Sequence, residues 1–110
     1  MRATRKSYFI YITSSRSRNL YVGCTSALER RVAQHRAGWF GGHTAKYRIR
    51  RLVYSEPAPT ARAMVVRERQ IKTWTREKRV GLIEAMNPGW DDLAASWALP
   101  VLPTRRPWAP

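Results

Sequence analysis

The sequence predicts an α+β domain built from three short strands and at least three helices. Two apolar runs rich in β-branched and aromatic residues, 8–13 and 20–24, are typical of strands. Apolar residues at helical spacing in segments 27–37 and 61–74 are typical of amphipathic helices. With 110 residues, of which 44% are hydrophobic, the chain is expected to form one domain with a modest core.

The first two strands are predicted to form a hairpin. The six polar residues SSRSRN separate them and suit a connecting loop. In the first strand Ile10 and Ile12 alternate with Phe9 and Tyr11, so both faces are apolar. We therefore expect this strand to lie in the middle of its sheet, covered on both sides.

A helix and a third strand are predicted to follow the hairpin. Ser26 is the predicted N-cap of a helix over residues 27–37, and Gly38 is its predicted end. A loop rich in glycine and aromatic residues comes next. Residues 51–55 are then predicted to form the third strand, which the pair Pro57 and Pro59 is expected to end.

The C-terminal part of the domain is predicted to be helical. Thr60 and Thr75 are the predicted N-caps of helices over residues 61–74 and 76–85. The sequence NPG at 87–89 is typical of a turn in which Asn87 is structural, and residues 90–97 are expected to form a last short helix. We expect the domain to span residues 5–97, with the Pro-rich, basic residues 98–110 forming a flexible tail.

The chain is strongly basic, with 21 lysines and arginines, 7 acidic residues and a net charge of +14. A folded domain this basic most often binds a polyanion, because neutralising phosphates releases condensed counterions. Nucleic acid is therefore the expected partner. An Arg-rich proteome would raise the charge without a partner, and a membrane surface is disfavoured because no segment pairs a clean basic face with a deep apolar one.

The cysteine content and the N-terminal segment narrow the class of protein. Cys24 is the single cysteine, which excludes an internal disulfide and a cysteine-based zinc site. Its place in a predicted strand favours a small core side chain. The N-terminal apolar run ends at Thr13, so it is too short for a signal peptide or a spanning helix. We expect a soluble cytoplasmic protein.

Glu68 is the most unusual residue of the predicted helix over residues 61–74. It projects from the centre of an apolar face formed by Ala61, Met64, Val65, Ile71 and Trp74. Burying an unpaired carboxylate there would be costly, so Glu68 is expected to be paired, protonated or bound to a cation. The helix alone favours an ion pair with an arginine or lysine.

An ordered set of motifs favours another interpretation of Glu68. The set consists of Phe9-Ile10-Tyr11, Tyr21-Val22-Gly23, then Arg31 and His35, followed by RERQIKTW at 67–74 and EAMNPGW at 84–90. Together these motifs resemble the GIY-YIG nuclease superfamily, and residues 8–90 resemble its small standalone, UPF0213-like members. Phe9 stands where the family name has glycine, which is not a reacting group.

The resemblance implies a small three-stranded antiparallel sheet flanked by helices, and a nuclease site on it. It implies that Tyr11 and Tyr21 project into a cleft and that Gly23 keeps the backbone open beside the phosphate. Arg31 is implied to contact the scissile phosphate. Glu68 is implied to be the sole protein ligand of one divalent ion, Mg²⁺ or Mn²⁺.

Elementary chemistry suits these residue types. A guanidinium bridges two phosphate oxygens, and a lone carboxylate fits Mg²⁺, which keeps most of its waters. An ordinary tyrosine, with a pKa near ~10, is a poor base at neutral pH unless cations lower it. The resemblance implies Tyr21 as the base, with Tyr11 orienting water or phosphate. His35 is the competing candidate, since histidine titrates near the working range.

Two basic runs flank the predicted cleft in sequence and are candidates for contacts with a phosphate backbone. With Gly23, the predicted nucleic-acid-binding residues are Lys46, Arg48, Arg50, Lys72, Arg76 and Arg79. The alternative is that both runs are solvated surface. Trp39 and Phe40 either stack on an unpaired base or anchor their loop. No base-reading helix or zinc finger is present, so sequence specificity is not expected.

The leading hypothesis is a metal-dependent endonuclease-like domain that hydrolyses phosphodiester bonds in DNA. Structured, damaged or single-stranded DNA are candidate substrates, and DNA is favoured over RNA. The first alternative is a nucleic-acid-binding module with weak or no activity. The second is a basic accessory protein of a ribonucleoprotein, in which the tyrosines and Glu68 serve packing alone.

Overall fold

The computed structural model describes residues 7–40 and 42–103. The order of strands and helices along the chain largely follows the hydrophobic pattern. The elements are β1 (Tyr8–Ser14), β2 (Leu20–Thr25), α1 (Leu28–Arg36), α2 (His43–Lys46), β3 (Arg51–Ala58), α3 (Ala61–Thr73) and α4 (Arg76–Met86). The α+β class is confirmed. The short helix α2 lies within the segment that was expected to be a loop.

The three strands form one antiparallel sheet in the order β2-β1-β3. The first strand is therefore central, as its two apolar faces predict. The register places Tyr11 between Gly23 of β2 and Ser55 of β3. A β-bulge interrupts the pairing of β1 with β3 between Ile12 and Thr13.

Apolar clusters cover both faces of the sheet. The cluster beneath α3 and α4 contains Ile10, Ile12, Val22, Val53, Tyr54, Ile71, Ile83 and Trp90. The cluster beneath α1 contains Tyr11, Leu28, Val32, Leu52 and Ala94. Because successive side chains of a strand point to opposite faces, Ile10 and Ile12 serve the first cluster while Tyr11 serves the second. The α1 face therefore carries the predicted tyrosine.

Side-chain caps begin the two long helices as predicted. The hydroxyl of Thr60 accepts a hydrogen bond from Ala63 N (3.0 Å), and that of Thr75 accepts one from Lys78 N (3.2 Å). The predicted cap of α1 is wrong, because its N-cap residue is Ala27 and no side chain of the described residues caps the helix. Thr25, at the end of β2, accepts the hydrogen bond from Ala27 N instead (3.0 Å).

Strand β3 extends further than predicted, through Glu56 and Pro57 to Ala58. Pro57 lies opposite Phe9 and does not end the strand. Because β3 is an edge strand, proline is tolerated there without loss of a hydrogen bond between strands.

The segment after α4 is pinned to β3 and does not form the predicted helix over residues 90–97. Asp92 Oδ1 accepts hydrogen bonds from Leu52 N (3.2 Å) and Ala94 N (3.0 Å), and Leu93 N donates to Leu52 O (2.7 Å). Asn87 has the predicted structural role, since its amide donates to Val53 O (3.1 Å). These bonds to β3 compete with helix formation.

The beginning of the predicted tail contacts the domain. Leu99 packs against the cluster beneath α1, and Trp39 Nε1 donates a hydrogen bond to Pro103 O (2.8 Å). Residues 104–110 and the predicted domain start at residue 5 lie outside the described residues. The longest helix, α3, has 13 residues, and no helix in the described ranges is long and apolar enough to cross a membrane.

Candidate active site

Tyr11 reaches the edge of the sheet by passing over a glycine. Its side chain is fully buried and extends across Gly23 of the neighbouring strand. A Cβ on residue 23 would lie 2.5 Å from the Tyr11 hydroxyl oxygen and 2.6 Å from Cζ, closer than non-bonded atoms approach. Gly23 therefore has a packing role, while the phosphate contact that the resemblance implied stays a prediction.

Replacing Gly23 with alanine is expected to displace the Tyr11 phenol and to lower the free energy of unfolding by about 1–3 kcal/mol, the usual cost of overpacking a core. Urea unfolding measures this loss. Gly81→Ala is the matched control, because a Cβ there meets nothing within 4 Å and alanine is favoured over glycine in a helix. Equal effects of the two substitutions would contradict the packing role of Gly23.

The Tyr11 hydroxyl is surrounded by groups from α1. It forms a hydrogen bond of 3.0 Å with His35 Nε2. Burial raises the pKa of Tyr11 well above its ordinary value and Tyr21 adds to the rise, while the nearby Arg31 guanidinium opposes it. Tyr11 is therefore a neutral phenol at physiological pH.

His35 is a neutral imidazole with one ring nitrogen unpaired. The residue is 2% exposed, and burial, assisted by the positive charge of Arg31, lowers its pKa to about 4. Its Nδ1 atom has no hydrogen-bond partner in the described part of the chain. Buried polar atoms without a partner are rare in folded proteins, so this one marks the site as unusual.

The low pKa of His35 predicts that the domain loses stability as pH falls. In the unfolded chain His35 has a pKa of about 6.5 and binds a proton below that pH, whereas in the folded chain it binds this proton only below about pH 4. Stability is thus fully present above pH ~6.5, and about 2–3 kcal/mol is lost as pH falls through this window. Urea unfolding at several pH values measures the slope. His35→Phe should remove it, whereas substitution of the exposed His43 by glutamine should leave it in place.

An aromatic cluster encloses His35. Its ring centroid lies 4.3 Å from that of Phe40 and 5.2 Å from that of Tyr21. The ring centroids of Tyr11 and Tyr21 are 6.3 Å apart, and Arg31 Cζ lies 5.3 Å from the centre of the Phe40 ring. The two predicted tyrosines, Arg31 and His35 therefore lie together, and Phe40 anchors its loop against them.

Glu68 reaches the same edge of the sheet from the opposite face. Cys24, the residue after Gly23, points toward α3, and burial together with the nearby Glu68 carboxylate raises the pKa of its thiol. Lys72 and Arg31 oppose this rise. Tyr11 and Tyr21 pack on the α1 face of the sheet, whereas Glu68 lies near Cys24 on the α3 face, so the two groups flank the exposed edge of β2 from opposite faces.

The ion pair that the helix alone favoured is present. Glu68 Oε2 lies 3.4 Å from Lys72 Nζ, one helical turn further along α3. The Glu68 side chain is 17% exposed and that of Lys72 is 49% exposed. A pair with one solvated partner contributes only about 0.3–0.5 kcal/mol, so Lys72 leaves the carboxylate at little cost.

Comparisons with known proteins place the chain in a family. Residues 7–80 match the GIY-YIG catalytic domain. The chain belongs to the GIY-YIG family. It is 38% identical over 77 residues to a UPF0213 protein of Haloquadratum walsbyi, covering 70% of this chain and 86% of that protein. It is also 36% identical over 78 residues to a UPF0213 protein of Staphylococcus aureus, covering 71% of this chain and 95% of that protein.

A solved structure has the same fold as this GIY-YIG domain. It is the solution NMR structure of a UPF0213 protein from Bacillus halodurans, with a TM-score of 0.52 and 22% sequence identity. The likeness covers 82% of this chain and 97% of that one. The resemblance to UPF0213-like members of the GIY-YIG family is confirmed by the relatives from Haloquadratum walsbyi and Staphylococcus aureus.

A metal ion in this GIY-YIG domain would depend on a single side chain. Within residues 7–40 and 42–103, no group of three or more His, Cys, Asp or Glu residues is arranged to hold a metal. The Glu68 carboxylate nevertheless already holds a cation, the Lys72 ammonium. One carboxylate suits Mg²⁺, which keeps several waters, so the residues present fit such an ion.

The predicted nucleic-acid-binding residues of the GIY-YIG domain have unequal surroundings. Four of them, Lys46, Arg48, Arg50 and Arg76, are exposed, and Lys72 pairs with Glu68. A contact of Arg79 with nucleic acid stays a prediction; its guanidinium donates to Ile71 O (3.1 Å) and to Lys72 O (2.6 Å). It satisfies the last carbonyls of α3, where a cation also complements the helix dipole.

Two residues of the site were not assigned to it from sequence. Phe40 was expected either to stack on a base or to anchor its loop, and nothing local indicated that it packs on His35. Cys24 was expected to be a core side chain, yet it is half-buried beside Glu68. The one available signal was the alternation of side chains along β2, which points Cys24 to the face of the sheet opposite to that of Gly23.

Proposed function

We propose that this GIY-YIG domain hydrolyses phosphodiester bonds in DNA with one divalent metal ion. The observation that carries the proposal is the arrangement at the β2 edge, where Tyr11, Tyr21, His35 and Arg31 lie on one side and Glu68 on the other. A cation, a carboxylate and neutral proton-exchanging groups beside one exposed strand edge are what phosphodiester hydrolysis needs.

Arg31 is proposed to bind the scissile phosphate. It is half-buried, and none of the described carboxylates pairs with it. Its described neighbours include the Tyr11 hydroxyl, His35 and the Phe40 ring, none of which is an anion, so its positive charge is available to a phosphate. A guanidinium donates two parallel hydrogen bonds to phosphate oxygens and stabilises the charge that develops in the transition state.

Tyr21 is proposed to contact the attacking water and to take its proton. Unlike Tyr11, it is only half-buried, so its side chain reaches solvent. Tyr11 is neutral and bonded to His35 Nε2, which suits a group that orients water or phosphate. Because His35 Nε2 is engaged in that bond and its Nδ1 atom is buried, His35 is proposed to position Tyr11.

Glu68 is proposed to hold one Mg²⁺ or Mn²⁺ ion once Lys72 moves away from it. When bound, the ion would supply positive charge to the phosphate and to the leaving oxygen. Lys72 would then be free to contact the phosphate backbone, where its charge is again neutralised.

The preference for DNA rests on charge and on the resemblance. A net charge of +14 favours any polyanion, and the exposed residues Lys46, Arg48, Arg50 and Arg76 suit backbone contacts. These contacts carry no sequence information, so we expect recognition of DNA shape or ends, as in structured, damaged or single-stranded DNA.

Incubation of the purified domain with labelled branched, linear and single-stranded DNA tests the proposal. Cleavage is expected in Mg²⁺ or Mn²⁺ and should be abolished by EDTA. The Glu68–Lys72 ion pair favours a second candidate, a binding module in which the lysine permanently replaces the metal. Salt-sensitive DNA binding that EDTA does not affect, without cleavage of any substrate, would select that candidate.

A further inference from the structure

A second basic cleft lies at the turn that connects β1 to β2. Its volume is about 140 Å³, and it is lined by Ser14, Ser15, Arg16, Arg18, Arg51, Gly89 and Trp90. The lining comes from three separate segments: the turn between β1 and β2, the start of β3, and the turn after α4. None of these residues belongs to the candidate active site.

Three guanidinium groups meet in this cleft without a carboxylate partner. Among the described residues, neither Arg16, Arg18 nor Arg51 forms a salt bridge. Two carboxylates are nearby, but Glu84 accepts a hydrogen bond from Trp90 Nε1 (2.7 Å) and Asp91 is exposed. Repulsion among like charges makes such a cluster unfavourable unless an anion occupies it.

The arginines are held in place by specific contacts. Arg18 Cζ lies 4.5 Å from the centre of the Trp90 ring, and Arg51 Nη2 donates to Trp90 O (3.4 Å). Arg18 and Trp90 both have a positive φ, 66° and 54°, a backbone conformation that residues other than glycine rarely adopt. Strained backbone that positions charged groups in this way tends to occur at functional sites.

We propose that this cleft binds a phosphate group, supplied by the backbone of a nucleic acid at some distance from the candidate active site. Guanidinium groups are strong hydrogen-bond donors to phosphate oxygens, whereas the Ser14 hydroxyl already donates to Ser15 O (2.6 Å). Ser14 lies three residues beyond Tyr11 in β1, about 10 Å at ~3.3 Å per residue. That separation corresponds to about three nucleotides along one strand. The cleft is a binding site in its own right and does not require the domain to cleave DNA.

DNA binding measured in EDTA, where metal-dependent cleavage is absent, tests this site separately from the proposed function. Arg16→Gln/Arg18→Gln is expected to weaken binding of a labelled oligonucleotide about ten-fold and to reduce the slope of log K against log salt by about 1. The control, Arg62→Gln/Arg69→Gln, removes the same charge from exposed positions of α3 and should weaken binding less than about two-fold. Equal losses in the two double variants would overturn the proposal.

Inorganic phosphate distinguishes a nucleic-acid phosphate from a free one. Addition of phosphate should shift the NMR signal of the Trp90 indole in the unmodified chain and not in Arg16→Gln/Arg18→Gln, and DNA should compete for the site. If phosphate shifts the signal but DNA does not compete, the backbone source is wrong. If Arg18 proves necessary for folding, Arg16→Gln alone serves as the test variant, since Arg16 is exposed. The site would be refuted if Arg16→Gln bound DNA with normal affinity and phosphate did not shift the Trp90 signal of the unmodified chain.

Discussion

Glu68→Gln is expected to lower the rate of metal-dependent DNA cleavage by about 100-fold or more. Glutamine keeps the size of the side chain and removes the charge that would hold a divalent ion. The ion pair with Lys72 contributes little to stability, so the free energy of unfolding of the variant should lie within about 0.5 kcal/mol of that of the unmodified chain. Single-turnover cleavage at several Mn²⁺ concentrations measures the effect.

Glu77→Gln is the matched control for Glu68→Gln. Glu77 is exposed in the first turn of α4 and takes no part in the candidate site. Its substitution should leave cleavage within about two-fold, the range usual for surface changes away from a site. If Glu68→Gln cleaves DNA as fast as Glu77→Gln does, Glu68 is not the metal ligand.

Arg31→Lys is expected to lower the cleavage rate by about 100-fold while changing DNA affinity much less. Lysine retains the positive charge but cannot donate two parallel hydrogen bonds to a phosphate, so the loss falls on the transition state. Cleavage rate under saturating DNA and affinity in EDTA, measured side by side, separate the two effects.

The neighbouring Arg30→Lys provides the control within the same helix turn. Arg30 is exposed, and its substitution should alter neither the cleavage rate nor the affinity by more than about two-fold. A loss of affinity in Arg31→Lys that accounts for the whole loss of cleavage would show that Arg31 only binds DNA.

Local signals in the sequence were sufficient for most of the secondary structure. Thr60 and Thr75 cap their helices because a threonine hydroxyl needs only the next turn of its own chain. Ser26 failed as a cap because the helix begins one residue later, with Ala27 at the N-cap, and Thr25 accepts the hydrogen bond from Ala27 N. The short helix expected over residues 90–97 failed because Asp92 bonds to Leu52, a residue far away in the sequence.

The residues of the candidate site could be predicted from the sequence, but their spatial arrangement could not. The motifs identified Tyr11, Tyr21, Arg31, His35 and Glu68, and the i,i+4 pair of Glu68 with Lys72 can be read from their spacing. The passage of Tyr11 over Gly23 depends on strand register, which a single sequence does not reveal. The low pKa of His35 depends on burial by Phe40 and the tyrosines, which only the folded chain brings together.

Diffraction from crystals grown with Mn²⁺ and a phosphorothioate oligonucleotide that resists cleavage tests the central claim most directly. The anomalous signal of manganese locates the ion without reference to the protein. The proposed function predicts one peak in direct contact with the Glu68 carboxylate, the Lys72 ammonium displaced, and a phosphate between the ion and Arg31. An intact Glu68–Lys72 pair with no peak beside it, at a Mn²⁺ concentration that supports cleavage in solution, would contradict it.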